Sequence, residues 1–306
     1  MRIWMRLSLL ISILSFWGAE AHAVTCPEIS DEQKGELISF HLYGGPLSPG
    51  KLYIRRGYVL SYNETYRVPS WAAWRAQPGF RNTPLRKGKW STFRKDTDVP
   101  DGVVKTEYNG LYYSPDNFAR GHIVPYFISG GDRDNDGQDA DVGTGIENAE
   151  INDIDDACTV FEINYMSNIA PQYHERFNGQ RSDGRAGLWY QLETLVRQMV
   201  DNGRSFHIIA GTIFGDAEVQ LVGSSSDNKP DNIGVPHMFF KVLIGQDGVV
   251  PFLFVHQARV SPYGCEMEAE LKECIVTLEE LETASGYDFF SVLSGEPSQT
   301  WSQWGN

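Results

Sequence analysis

Three runs, residues 206–214, 236–244 and 249–255, are dominated by β-branched and aromatic side chains. The last two are joined by the turn Gly245-Gln246-Asp247-Gly248. Runs of this length and composition are strand material and commit the chain to a sheet at its core. Upstream, Tyr53-Ile54 and residues 57–62 read as further strands, and residues 68–74, interrupted by Pro69, as the next strand or an edge. Residues 159–166 alternate and read as a strand ending at Ser167-Asn168, closed off by Pro171. Helical spacing appears at Leu188, Leu192, Leu195, Val196 and Met199, with Gly203 just past the end. It appears again at Leu271, Ile275, Leu278 and Leu281 within a glutamate-rich surface segment, residues 266–282. His207, His237 and His256 stand singly and read as packed or surface histidines.

The N-terminus carries a different pattern. Arg2 and Arg6 precede an apolar run from Leu7 to Trp17, and Ala21-His22-Ala23 supplies small residues for cleavage, so residues 1–23 read as a secretory signal peptide. The run is too short to span a bilayer. The expected destination is the medium or the periplasm, and residues 24–306 read as one domain without internal repeats. An even number of cysteines in an exported chain permits two disulfides. Cys265–Cys274 is the most local pairing and leaves Cys26–Cys158, although sequence alone leaves the connectivity open.

A formal charge of −14 argues against a protein that coats nucleic acid through overall positive charge. The distribution is uneven, because from Lys51 to Lys95 the chain carries Glu64 as its single acid among many lysines and arginines. That stretch reads either as a binding stripe or as a solvated face paired with acidic neighbours. From 130 to 156 the balance reverses into an acidic insertion. Asp132, Asp134 and Asp136 followed by Gly137 reproduce the front half of a calcium loop, but the twelfth position is Gly143 instead of glutamate. A Ca2+ site at these aspartates and a solvated acidic insertion are the two readings.

The chemistry concentrates between Tyr112 and Glu193, after a turn-rich passage, residues 76–118, of the kind that shapes a groove. His122 is the right type of base near neutral pH. Arg120 can hold a phosphate oxygen through paired hydrogen bonds. Asn178 can offer a carbonyl oxygen to a hard divalent cation, Glu193 can bind a water on that cation, and Asn168 can orient His122 or such a water. Phosphodiester hydrolysis needs these functions: a base for water and stabilisation of charge on the phosphate and leaving oxygens.

The ordered series Arg120-Gly121-His122, Ser167-Asn168-Ile169-Ala170-Pro171-Gln172, Phe177-Asn178 and Trp189-x-x-Leu192-Glu193 resembles the DNA/RNA non-specific endonuclease family, the ββα-metal nucleases. Similarity extends over residues 50–292, through Tyr58–Ser61, Gly211–Phe214, Val235–Val242 and Ser285–Phe290. The resemblance implies an α+β fold, a central antiparallel sheet flanked by helices, with a site built from a hairpin and a crossing helix. It implies an endonuclease acting on DNA and RNA with Mg2+ or Mn2+ and leaving 5′-phosphate ends. His122 would be the base, Asn178 the metal ligand, Glu193 its partner through a metal-bound water, Arg120 a phosphate ligand and Asn168 a steadying residue. Arg86 is the first choice for the upstream arginine, ahead of Lys89 and Arg94. Ala119 stands where relatives commonly carry aspartate, a gap that Asp116 either fills or leaves open. Ten residues separate Asn178 from Trp189, more than in compact relatives, so the expectation is an insertion that loops out or a substitute ligand. An exported nucleic-acid-binding protein without activity is the alternative function.

Overall fold

The computed structural model describes residues 25–48, 50–114, 116–141, 150–181, 183–223 and 232–293. The expected signal peptide, Gly143 and the tail bearing Trp301 and Trp304 lie outside the described residues. The strands are β1 (Leu52–Arg55), β2 (Tyr58–Asn63), β3 (Val68–Ala76), β4 (Phe118–His122), β5 (Ile169–Tyr173), β6 (Phe206–Ile213), β7 (Leu221–Val222), β8 (Ile233–Gly234), β9 (Met238–Gly245) and β10 (Gly248–Val255). The helices are α1 (Asp31–His41), α2 (Ile154–Ile163), α3 (Leu188–Asp201), α4 (Leu278–Ser285) and the single turn α5 (Phe290–Leu293).

Six strands form one antiparallel sheet in the order β1-β2-β3-β6-β9-β10. Successive side chains point to opposite faces of a strand, and here both faces are covered. Along β9, Phe239 and Leu243 pack on one side with Leu60 and Trp74, while Phe240 and Val242 pack on the other with Val59 and Trp71. Strands buried on both faces read as continuous apolar runs, which is why these were conspicuous in the sequence. Leu188, Trp189, Leu192 and Val196 of α3 cover the first face; Leu281 of α4 and Leu42, just past α1, cover the second. Lys241 belongs to the first face by register and is fully buried beneath α3. Among the described residues no helix is long and apolar enough to cross a membrane.

Two elements differ from the sequence reading. Residues 159–166 are not a strand, because α2 runs through them from Ile154 to Ile163. Asp153 caps this helix by accepting from the Asp156 amide, and acidic residues in its first turn suit the positive end of the helix dipole. Residues 156–163 are all buried, so the polar face that marks a surface helix is missing. The glutamate-rich segment is also shorter than expected as a helix. Leu271–Cys274 forms a 3-10 turn, and α4 begins only after the Thr277 capping box. Disulfides join Cys26 to Cys158 and Cys265 to Cys274, the pairing favoured from sequence.

Candidate active site

β4 and β5 pair as an antiparallel ribbon in which His122 faces Ile169 and Arg120 faces Pro171. Gly121 between them has no room for a side chain: a Cβ there would lie 2.1 Å from the Gln172 carboxamide oxygen. The ribbon therefore carries two large polar residues around a close approach that only glycine permits.

His122 is 8% exposed at the end of β4, with its Nε2 3.3 Å from Asn164 Oδ1. The orientation of that amide follows from its other contacts. Asn164 Nδ2 donates to Trp90 O at 2.9 Å and to Val160 O at 3.2 Å, so Oδ1 must be the atom facing the imidazole. His122 Nε2 then carries the hydrogen and Nδ1 carries the lone pair. Burial, reinforced by the positive charge of Arg86, holds the imidazole well below the ordinary histidine value against a smaller pull from Asn164. The ring is neutral at neutral pH, with its lone pair at Nδ1.

Asn168, expected to steady the site, bonds the backbone beside His122 and not its ring. Its Oδ1 accepts from Val124 N, and its Nδ2 donates to Val124 O and Ile163 O, each at 2.9 Å. It fixes the backbone just past His122, and none of these bonds reaches the imidazole. Asn164, the C-cap of α2, is the residue in contact with His122. Reading this segment as a strand hid the asparagine; a capping position at the end of a helix would have exposed it.

Phe93 is the surface on which the charged groups assemble. Its ring lies 5.4 Å from the His122 ring, and the guanidinium carbons of Arg86 and Arg120 stand 5.6 and 5.3 Å from its centroid. Arg86 also lies over Tyr126 at 5.3 Å; its positive charge acts on His122, while Glu193 favours that charge against the cost of burial. Arg120 donates to Lys105 O at 3.1 Å, while its Nε is buried with no partner. Asp116 does not replace the missing carboxylate beside Arg120, because it accepts from Gln220 at 2.8 Å and is exposed.

The basic stripe divides. Arg55, Arg56, Arg67 and Arg81 are tied to Asp96, Glu162, Glu107 and Asp201 respectively. Arg86, Lys87, Lys89 and Arg94 sit in the segment around Trp90 and Phe93, where Arg94 lies over Phe161 and donates to Thr92 O and Lys89 O.

The stretch between Asn178 and Trp189 loops out from the chain. Gln180 and Ala186 form a bridge, and Gly187 N donates to Gly179 O at 2.7 Å. Phe177 O then accepts from Trp189 N and Tyr190 N at the start of α3, so Asn178 stands at that helix's N-terminus. Gly187 makes this possible, since a Cβ would lie 2.4 Å from the Phe177 backbone. Glu193 is one turn further along α3. A fifth of its side chain is exposed, and its Oε1 lies 3.5 Å from Lys241 Nζ, which in turn sits 3.7 Å from the Trp189 ring centroid. Burial pushes the Glu193 carboxyl up and Lys241 pulls it down, while burial lowers Lys241 itself.

Asn178 and Glu193 both carry an oxygen of the kind a hard divalent cation takes, Asn178 just ahead of α3 and Glu193 within it, and among the described residues Glu193 is held by Lys241. A second group of oxygens, on Asp132, Asp134 and Asp136, has all three ligand atoms within 4.8 Å of one another.

The sequence model of the DNA/RNA non-specific endonuclease family matches residues 41–296. A nuclease of Nostoc sp. (strain PCC 7120) is 26% identical over 273 residues, covering 84% of this chain and 82% of that protein. The mitochondrial nuclease EXOG of Danio rerio is 26% identical over 265 residues, 82% of this chain and 64% of that protein. In three dimensions the chain is similar to one in the crystal structure of the EndoG/EndoGI complex. The TM-score is 0.58 at 17% identity, covering 85% of this chain and 92% of that one, a likeness of fold.

Proposed function

Because the chain belongs to the DNA/RNA non-specific endonuclease family, we propose that it is an exported, metal-dependent endonuclease cutting DNA and RNA internally with little sequence preference. The observation that carries this reading is His122, held against Asn164 and placed beside Arg86 and Arg120 around the Phe93 ring. His122 Nδ1 takes the proton of an attacking water as its oxygen bonds to phosphorus. The P–O3′ bond breaks and the leaving O3′ takes a proton from a solvent water, giving a 5′-phosphate and a 3′-hydroxyl. Arg120 and Arg86 draw in phosphate oxygens and offset their growing negative charge. Asn178 would hold Mg2+ or Mn2+ and Glu193 a water on it. When bound, the ion supplies Lewis-acid stabilisation of the phosphate and leaving oxygens.

The local cationic surface draws an anionic substrate into an otherwise acidic protein. Two disulfides support an oxidising destination, the medium or the periplasm. The deciding experiment is cleavage of circular plasmid and of RNA by the mature protein, with Mg2+ and with chelator, beside His122→Ala. Metal-dependent nicking lost in the variant supports the reading. A folded protein inert in every divalent metal would leave an exported nucleic-acid-binding member of the family.

A further inference from the structure

Resting on the nuclease reading above, we propose that Tyr112 and Tyr113 form a stacking platform for an unpaired base of the strand held at Arg120, so that the site favours single-stranded over duplex nucleic acid. The chain just ahead of β4 builds the platform. Gly110, in the left-handed conformation at φ +85°, opens a short 3-10 turn over Leu111–Tyr113. Tyr113 N donates to Gly110 O at 3.0 Å and Ser114 Oγ to Leu111 O at 2.7 Å, so the turn is tied at both ends. Leu111 packs against the main core, whereas Tyr112 is 47% and Tyr113 88% exposed. Their rings meet edge to face at 5.1 Å, and Tyr112 lies 4.8 Å from the ring of His174, just past β5. The other exposed large apolar side chains among the described residues, Leu85, Ile154, Tyr190 and Leu221, stand singly in the sequence, as is ordinary on a protein surface. Two adjoining tyrosines on a pinned turn are a preorganised contact surface.

A run of direct contacts joins this surface to the candidate base. The His122 ring lies 5.4 Å from Phe93, the Arg120 guanidinium 5.3 Å from Phe93, and Arg120 Nη2 3.4 Å from Asn109 Oδ1. Asn109 immediately precedes the Gly110 turn. On the other side, His174 follows Tyr173, which pairs with Phe118, two residues from Arg120 along β4. At about 3.4 Å per residue, the His174 end of the ribbon is about 7–10 Å from Arg120. That is about two or three steps of a stacked strand. A phosphate on Arg120 therefore brings the bases of neighbouring nucleotides within reach of the tyrosines. Of the acids nearby in sequence, Glu107 is held by Arg67 and Asp116 accepts from Gln220.

The form of the substrate follows from what each offers to an aromatic ring. A duplex keeps its base faces against one another, while a single strand offers a face at every nucleotide. Tyrosine suits this contact, since its ring is rigid and its hydroxyl end is compatible with water when no base is present. Every base has a π-face, so the platform adds strand preference without sequence preference.

The test reads fluorescence anisotropy of labelled oligothymidylate, of an abasic strand of equal length and of a hairpin duplex, with the full mature chain in chelator so that nothing is cut. The wild type should bind oligothymidylate more tightly than the abasic strand. Tyr113→Ala should weaken oligothymidylate binding by about 5–150-fold, Tyr112→Ala should weaken it in the same direction, and Tyr113→Trp should keep it within about threefold. The abasic strand and the duplex should bind Tyr113→Ala within about twofold of wild type, whereas Arg120→Met, which removes a phosphate contact, should weaken all three probes. Tyr113 is exposed, so its replacement leaves the fold in place. Unchanged oligothymidylate affinity in both alanine variants, or an equal loss on the abasic strand and the duplex, would overturn the platform and leave the nuclease reading standing. A wild-type dimer that Tyr113→Ala dissociates in analytical ultracentrifugation, with oligothymidylate affinity unchanged, would make the pair a contact between copies of the chain. Binding of none of the three probes by the folded wild type would overturn the nuclease reading and the platform with it.

Discussion

Asn164→Ala separates the roles of the two buried asparagines near His122. The substitution removes the acceptor of His122 Nε2–H and the donors to Trp90 O and Val160 O, in a side chain that is fully buried. Each buried partner left alone costs about 1–3 kcal/mol, so about 3–9 kcal/mol for the three. Against a domain stability of about 5–15 kcal/mol the lower half of that range leaves the protein folded at room temperature, with melting lowered by about 2–4 °C for each kcal/mol lost. The catalytic effect is separate. Without Asn164 nothing specifies that Nε2 holds the hydrogen, and the ring loses its orientation. Positioned base catalysis is worth about 10²–10⁴-fold, and a loss of about 10²-fold in kcat is expected with KM nearly unchanged. Single-turnover nicking of plasmid well below the melting temperature measures this. Asn168→Ala is the control: it should lose comparable stability but far less kcat, because its side chain holds the backbone of Val124 and Ile163. A folded Asn164→Ala protein with kcat within about threefold of wild type would refute the tautomer argument.

The acid limb of kcat/KM should lie below pH 6.5, since burial and Arg86 keep His122 deprotonated to lower pH than an ordinary histidine. Arg86→Met removes the positive charge, so the limb should move upward; a limb already at 6.5 or above in the wild type would contradict this. Replacing Cys26 and Cys158 by serine should destabilise more than replacing Cys265 and Cys274, because the bonds span 132 and 9 residues. In the chain-entropy account the costs are about 5 and about 3 kcal/mol, and denaturant midpoints in the reverse order would count against it. Neutralising Arg86 and Lys87 should reduce the salt slope of nucleic-acid binding by about 1 for each phosphate that they neutralise in the wild type. Arg67→Gln should leave that slope unchanged and lower stability instead, since Arg67 is bound to Glu107.

The sheet was legible because burial on both faces leaves an apolar run that few other elements produce, as in β6, β9 and β10. The same property misled at α2, where residues 156–163 are buried all round. A helix without a polar face loses its period, and its β-branched and aromatic residues then read as strand. The basic stripe failed for a related reason. Composition records Arg55, Arg56, Arg67 and Arg81 alike with Arg86, but only the fold decides which guanidinium meets a carboxylate. His122, Arg120 and Glu193 stood out as candidates because their residue types are unusual beside a core. Asn164 was not, since an asparagine in sequence is a short amide with an acceptor at one atom and donors at the other. What gives it consequence is the direction of that amide. Two carbonyls, Trp90 O from a distant loop and Val160 O from its own helix, hold its nitrogen away and turn its oxygen to the imidazole. Those contacts exist only after α2 has packed on the Trp90 loop, so the protonation pattern of the candidate base is a tertiary property that no local motif encodes.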